Sequence, residues 1–383
     1  MSKVLILGDI HIGKSQNLGS SSIYSNLNSR VLDQKKLLDW VLIQAEENFV
    51  TDIITTGDVF EEVNPGYELI NLFFDWLNSC SLHKIKVHII LGNHDYTRIN
   101  NNYYSWLDLI HNSNIKNIFV YKNPETIHFE KTSISFFPFL DRKALFTDSL
   151  QEAKDKVKSM IDYQFLSIPK KSKAIAIGHF ALEGSLYIGD EIDDLTNEII
   201  LPLDYFDYDF VWMGHVHKYQ ELKKNIFHIG SMDISDFGEA NENKYIVLFD
   251  LNSNTFETKK IPTKKLNKIK IKVSPETIDS LKENLSNIKD NIVSIDVEYI
   301  DGAKPIGKNK IKQMLLEHNP YFIANISETK EVKLKENSKT KEFKTNLKID
   351  DALKKYADNF ISNDLKDKFL KYSKELIAKA EEK

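Results

Sequence analysis

The sequence predicts an α/β fold: a large N-terminal domain of strands alternating with helices, a small α+β domain after it, and C-terminal helices. Three observations carry this. Up to about residue 258, short apolar runs alternate with segments of helical spacing, the order expected of strands covered by helices. Nearly every apolar run ends in a glycine beside an aspartate, asparagine or histidine. After Pro262 a second, shorter set of alternating elements begins.

In chain order, the runs VLILGDIH (4–11), DIITTGDVF (52–60), VHIILGNHD (87–95), AIAIGHF (174–180) and FVWMGHVH (210–217) read as strands followed by polar turns. Strands buried on both faces are continuously apolar, and loops at the ends of such strands are where sites assemble in α/β sheets. Residues 31–49 carry apolar side chains at helical spacing and predict a helix. YELINLFFDWL (67–77) is apolar on more sides than one covered face demands, and YYSWLDLI (103–110) resembles it. These two segments suit either a dimer interface or an internal core helix.

Beyond Pro262, KIKIKV (268–273), PETIDSLKENL (275–285), IVSIDVEYI (292–300), KIKQMLLEH (310–318) and YFIANIS (321–327) predict a β-α-β-α-β unit. Residues 331–348 are nearly devoid of large apolar side chains and predict a charged linker. Past it, Leu353, Tyr356 and Phe360 form one apolar stripe, and Leu365, Phe369, Tyr372 and Leu376 a second, separated by the polar break SND. The predicted organisation is therefore 1–260, 261–330, a linker at 331–348, and helices over 349–383.

Composition restricts the chemistry. The chain has 383 residues and a single cysteine, Cys80, which excludes an internal disulfide and a thiolate zinc cluster. No apolar stretch approaches the ~18 residues of a membrane span, and the N-terminus turns polar too early for a secretory signal, so a cytoplasmic location is expected. The net charge of -5 is unevenly placed: -13 over residues 1–258 and +8 over 259–383. Unaided nucleic-acid binding is not expected of so acidic a first part.

GDIHIGKS (8–15) fits the phosphate-loop pattern G-x-x-x-x-G-K-[ST]. A phosphate loop, however, must open a helix at its Gly-Lys-Ser, and here the loop-forming QNLGSSS follows. Asp9 would also set a carboxylate where phosphate oxygens must lie. The same Asp9 and His11 would attract a divalent cation, and four further strand ends add Asp58, Asn93, His94, Asp95, His179, His215 and His217. Nitrogen and oxygen donors without thiolate suit Mn²⁺, Fe²⁺ or Zn²⁺, with one carboxylate bridging if two ions bind. Glycine beside each donor leaves room for a sharp turn.

The ordered set D-x-H, GD, GNHD, GH and GHVH resembles the calcineurin-like metallophosphoesterase superfamily. Within it, D-x-H-x-G, GDVFEEVNP and HIGSMDISDFGE after GHVHK are similar to the SbcD-type DNA double-strand-break repair nucleases, which include phage and eukaryotic recombination nucleases. The resemblance implies a four-layer metallophosphoesterase β-sandwich flanked by helices, with a small capping domain. It implies two Mn²⁺ ions (with Mg²⁺, Fe²⁺ or Zn²⁺ as alternatives), Asp9, His11 and His217 on one, Asn93, His179 and His215 on the other, and Asp58 bridging. His94 would touch the scissile phosphate or protonate the leaving oxygen, and Asp95 would support its turn. One position departs: eukaryotic-type relatives carry a histidine three residues after the bridging aspartate, where this chain has Glu61.

The implied activity is a 3'-5' double-strand exonuclease and single-strand endonuclease working by a two-metal mechanism. The implied partners are DNA, a second copy of the chain, and an SbcC-type ABC ATPase gripped by Leu353, Tyr356, Phe360, Phe369, Tyr372 and Leu376. The same donors would also serve a phosphomonoesterase or a cyclic-nucleotide phosphodiesterase. A non-catalytic scaffold would be expected to have lost donors, and all are present.

Overall fold

The strands of the N-terminal part divide their apolar side chains between two faces, as the period of two requires. In the computed structural model, described over residues 3–21, 27–99, 102–113, 115–188, 198–277, 285, 287–330, 353–354, 357 and 365–381, Val4 and Ile6 of the first strand join one core cluster while Leu5 and Leu7 join another. That division places a sheet between two layers.

The elements run β1 (Lys3–Leu7), α1 (Ser29–Glu47), β2 (Val50–Thr55), α2 (Tyr67–Leu82), β3 (Lys86–Ile90), β4 (Thr97–Ile99), β5 (Asn102–Tyr104), α3 (Leu107–His111), β6 (Ile118–Tyr121), β7 (Glu125–His128) and β8 (Thr132–Phe137). They continue with α4 (Leu150–Leu166), β9 (Lys173–Gly178), β10 (Phe210–Met213), β11 (Gln220–Lys223), β12 (Ile226–His228), β13 (Tyr245–Asp250), β14 (Thr255–Lys260), β15 (Leu266–Val273), β16 (Ile292–Tyr299), α5 (Lys308–Leu316), β17 (Phe322–Lys330) and α6 (Lys366–Glu381).

Two six-stranded sheets form, in the orders β14-β13-β1-β2-β3-β6 and β11-β12-β10-β9-β8-β7. Strands β1, β2, β3 and β6 are mutually parallel, as are β8, β9, β10 and β12, while the outer strands β13, β14, β11 and β7 pair antiparallel. Ile6, Ile54 and Ile90 from the first sheet pack with Ile134, Phe136, Ile175, Ile177 and Trp212 from the second. On its other face the first sheet meets Leu38, Val41, Phe73 and Trp76 of α1 and α2, and the second meets Val157 and Ile161 of α4. The layers are thus helix, sheet, sheet, helix, the four-layer sandwich expected. Burying a large aliphatic side chain contributes about 1.5–3 kcal/mol, so these three clusters hold the strand ends in place.

Helix α1 starts where Asn28 accepts the Arg30 N–H and ends as Phe49 turns left-handed at φ 56°. Arg30, fully buried, donates to Asp33 at 3.2 Å and Asp233 at 2.6 Å, tying α1 to the segment after β12. The apolar excess of α2 is largely absorbed internally: Leu72, Phe73, Trp76 and Leu77 are buried, whereas Tyr67 and Leu82 stay exposed. Residues 103–110 differ from the helix that their likeness to 67–77 suggested. Tyr103 and Tyr104 lie in β5, paired with β4, and only Leu107–His111 are helical. Aromatic residues favour the pleated strand, and Ser105 Oγ, which accepts the Leu107 N–H, restarts the chain as a helix.

The three-stranded sheet β15-β16-β17 has its own cluster, with Val273, Ile295, Val297, Ile311 and Leu315 buried together. In β15 the side chains of Lys268, Lys270 and Lys272 are exposed while Ile269 and Ile271 are half-buried. Most of the helix predicted over 275–285, the linker 331–348, Tyr356 and Phe360 lie outside the described residues. The chain divides into two compact units, Met1–Thr329 and Lys330–Lys383. In the second unit Leu353 is half-buried; on or beside α6, Phe369 is half-buried and Leu365 and Tyr372 are exposed, while the Leu376 side chain lies outside those described. No helix among the described residues is long and apolar enough to cross a membrane.

Candidate metal centre

All five polar turns lie at the carboxyl ends of parallel strands: Asp9 and His11 after β1, Asp58 after β2, Asn93 and His94 after β3, His179 after β9, and His215 and His217 after β10. Backbone hydrogen bonds lace these turns together. Ile10 and His11 N–H donate to Asp58 O (3.0 and 2.8 Å), Met232 N–H donates to Asp9 O (2.7 Å), and Gly214 N–H to Gly178 O (2.9 Å). His11 (φ 48°), Asp58 (φ 47°) and His215 (φ 78°) are left-handed non-glycine residues, a strain of about 1–3 kcal/mol each that surrounding structure must offset.

Two glycines make the close approach possible. A Cβ on Gly92 would sit 2.1 Å from Asp58 Oδ1, and one on Gly214 would sit 2.3 Å from Asp9 Oδ1. The glycine neighbours therefore make room for the carboxylates.

The donor atoms converge in two groups. In one, His11 Nε2 and His217 Nε2 lie 3.0 Å apart, and Asp9 belongs to the same cluster. In the other, Asn93 Oδ1 lies 2.8 Å from His179 Nε2 and 2.9 Å from His215 Nδ1. Asp58 Oδ2 is shared, 3.6 Å from His11 Nε2 and 3.3 Å from His179 Nε2. One carboxylate thus reaches both groups.

The proton positions are constrained from outside. His179 Nδ1 lies 2.8 Å from the carbonyl oxygen of Thr56 and must donate to it. His215 Nε2 contacts the Glu198 carboxylate, and His217 Nδ1 lies 3.2 Å from Glu239 Oε1. Each ring thus turns its second nitrogen inward, His179 and His215 toward Asn93 Oδ1 and His217 toward His11 Nε2. Inward-facing lone pairs at these distances repel unless a cation, or a proton standing in for one, lies among them. The residues fit divalent ions of the Mn²⁺, Fe²⁺ or Zn²⁺ type.

Electrostatics agree. Burial alone would lower His179, but Asp58 and Asp9 push it up to about 10, so the bare chain holds a proton where a cation fits. Burial would raise Asp58, yet His179, His94 and His11 hold it well below the usual carboxylate range. Asp9 is raised, chiefly by complete burial. His215 is lowered well below the ordinary histidine value by burial and by His179, and burial lowers His217 to about 4. Neutral imidazoles are what a metal requires.

His94 stands slightly apart. Its ring is T-shaped to His11 with centroids 5.0 Å apart, its Nδ1 lies 2.7 Å from the Glu61 carbonyl, and its N–H donates to Asp58 Oδ1 at 2.8 Å. It also forms a cluster with His11 and Asp58. Burial opposes its protonation, but Asp58 and Glu61 outweigh that and raise it. Asp95 supports the turn, accepting from Asp58, Val59 and Gly92 N–H at 2.7, 3.0 and 2.8 Å. Gly13–Ser15 form a turn leading into a three-residue 3-10 segment, with Ser15 left-handed at φ 65°, so no helix N-terminus is there to cradle phosphate.

Residues not anticipated from sequence include Thr56, whose hydroxyl donates to Asp9 Oδ1 at 2.8 Å, and Glu198 and Glu239 behind the two GHVH histidines. Glu239 in turn meets the buried Lys244 at 3.0 Å. None follows a local pattern, although Thr56 adjoins Gly57-Asp58.

A four-layer sandwich with paired Asp/His clusters above its parallel strand ends defines a dimetal phosphoester hydrolase. Residues 2–219 match the calcineurin-like phosphoesterase family, and the chain belongs to it. The structure is also similar to that of a dimetal phosphatase from Danio rerio, at 10% identity over 68% of this chain and 99% of that chain, with a TM-score of 0.41.

Proposed function

We propose that this chain is the nuclease subunit of a DNA double-strand-break repair complex of the SbcCD type, hydrolysing phosphodiesters with two Mn²⁺ ions. Asp9, His11 and His217 would hold one ion, Asn93, His179 and His215 the other, with Asp58 shared between them. When bound, such a pair of ions supplies Lewis acidity toward the phosphoryl group and the attacking and leaving oxygens. The chain's own contribution is positional. Thr56 and the His215 N–H anchor the two oxygens of Asp9. His94, held by Asp58 and Glu61 and raised in basicity, supplies a proton to the departing oxygen.

The observation that carries the choice of DNA is the stripe of exposed Lys268, Lys270 and Lys272 on β15, in the part of the chain where the charge turns positive. Lysines on one face of a strand suit a phosphate backbone, which is read without sequence preference. Lys272 also pairs with Glu298 at 3.2 Å. The stripes at Leu353, Tyr356 and Phe360 and at Phe369, Tyr372 and Leu376 bind an SbcC-type ATPase, which supplies the DNA affinity that the acidic first part lacks. A homodimer through the exposed side of α2 and its neighbour, where Tyr67 and Leu109 stay exposed, is part of this reading; sedimentation of the isolated chain is expected to give two protomers, and a monomer would remove it.

The test is a side-by-side assay with Mn²⁺ on linear duplex DNA, para-nitrophenyl phosphate and a cyclic nucleotide, with and without the co-expressed ATPase. Degradation of the duplex is expected. Activity confined to the small esters would leave a phosphomonoesterase or cyclic-nucleotide phosphodiesterase.

A further inference from the structure

His11 Nε2 and His217 Nε2 face each other at 3.0 Å, and both rings are buried. Two neutral arrangements are open to such a pair. Either one nitrogen carries a proton and donates it to the other, closing the gap, or both are bare and their lone pairs repel until a cation comes between them. The far nitrogen of each ring decides which arrangement holds.

On His217, Nδ1 lies 3.2 Å from Glu239 Oε1. An ionised carboxylate only accepts, so this Nδ1 carries the proton. Glu239 is itself immobilised: its oxygens take the Ser235 N–H and hydroxyl, both at 3.0 Å, and Lys244 Nζ at 3.0 Å, all within the interior. On His11, Nδ1 lies 2.8 Å from Glu61 Oε2, a short but poorly aligned contact. A bare nitrogen and a carboxylate oxygen repel at that distance, so a proton sits on this Nδ1 too. Lys14 Nζ lies 3.6 Å from the same oxygen.

We propose that Glu61 and Glu239 are positioning residues that set the tautomers of His11 and His217, so that both Nε2 atoms are bare and this half of the centre is preset for a divalent cation. The inference rests on the metal-centre assignment above and deepens it. Carboxylates behind metal-binding histidines fix ring orientation and raise ligand basicity, and their loss costs about 10–100-fold in metal affinity.

The full-length chain is stripped of metal and titrated with Mn²⁺ by calorimetry as wild type, Glu61→Met, Glu61→Gln and the double variant Glu239→Met/Lys244→Met. The double variant removes a buried ammonium together with its counter-charge, which protects folding. In parallel, two-bond ¹H–¹⁵N correlation spectra of the metal-free wild type read which nitrogen of each histidine is protonated. Expected are Nδ1–H on both His11 and His217, one Mn²⁺ site weakened about 10–100-fold in Glu61→Met and in the double variant, and near wild-type affinity in Glu61→Gln, which keeps an acceptor. A role in packing alone would leave the Met and Gln variants alike. Wild-type protein that binds two ions, with variants that bind them equally well or with Nε2–H on either ring, overturns this inference alone. Wild-type protein that binds no ion overturns the metal-centre assignment first, and this inference with it.

Discussion

The carboxylate of Asp95 accepts the backbone N–H of Asp58 at 2.7 Å, and so the turn after β3 holds the turn after β2. The same carboxylate takes the N–H groups of Val59 and Gly92. Asp58 reaches its shared position between the two donor groups because Asp95, outside both, closes the loop behind it. In Asp95→Asn one acceptor oxygen becomes an amide that faces a buried N–H. Leaving that donor unsatisfied costs about 1–3 kcal/mol, so a lowered urea midpoint is expected, together with weaker Mn²⁺ binding at both sites. Unchanged midpoint and affinity would remove the supporting role.

Substituting the shared carboxylate acts differently. Asp58→Asn keeps size and removes the charge seen by both His11 and His179. Calorimetric titration with Mn²⁺ should then lose both ions, not one. Retention of one full-affinity ion would mean that the groups do not share this residue.

Chelation should destabilise the folded chain. Ions that bind only the native state stabilise it by about 2.7 kcal/mol at a hundredfold excess over Kd. Addition of a chelator is therefore expected to lower Tm, and Mn²⁺ to restore it in a concentration-dependent way. A Tm indifferent to both would count against the centre.

His94→Ala should separate binding from turnover. Its ring contacts the Glu61 carbonyl, and its link to Asp58 is made by backbone, which the substitution spares. Metal content should stay as in wild type while kcat falls about 10²–10⁴-fold, the usual worth of a general acid. A loss of metal instead would place His94 among the ligands, as its cluster with His11 and Asp58 permits.

His228 gives a pH dependence. It is fully buried, its Nδ1 donates to the Gly214 carbonyl at 3.1 Å, and burial lowers it from 6.5 to about 4. The unfolded chain therefore takes up a proton first as pH falls. Stability present above pH 6.5 is lost progressively down to about pH 4, on the order of 3 kcal/mol in all. In metal-free buffer, the drop in unfolding free energy between pH 7 and pH 5 should be smaller for His228→Gln than for wild type. Equal slopes would show that the buried ring does not drive the acid sensitivity.

Much of the site was legible because its signals are local. β2 stops at Thr55, just before Gly57-Asp58, and GHVH begins where β10 ends at Met213, since an apolar run followed by glycine is both strand and stop. The helix over 31–49 appears two residues early, as Ser29–Glu47, because Asn28 caps it and Phe49 breaks it. The segment 103–110 was misleading: its composition resembles that of α2, but pairing with β4 drew its tyrosines into a strand. The match of GDIHIGKS to a phosphate loop was a coincidence of letters, which the following QNL turn already betrayed.

By itself the sequence determined the α/β class, the strand ends and which nitrogen- and oxygen-bearing side chains follow them, because periodicity and glycine placement act within a few residues of each. Only the tertiary structure decided which donors share a space, that Asp58 lies between the two groups, and that Glu61, Glu198 and Glu239 stand behind the histidines. His11 and His217, at opposite ends of the domain sequence, meet at 3.0 Å. Nothing local in the chain encodes that distance; it follows from how the sheets stack when their apolar faces leave water.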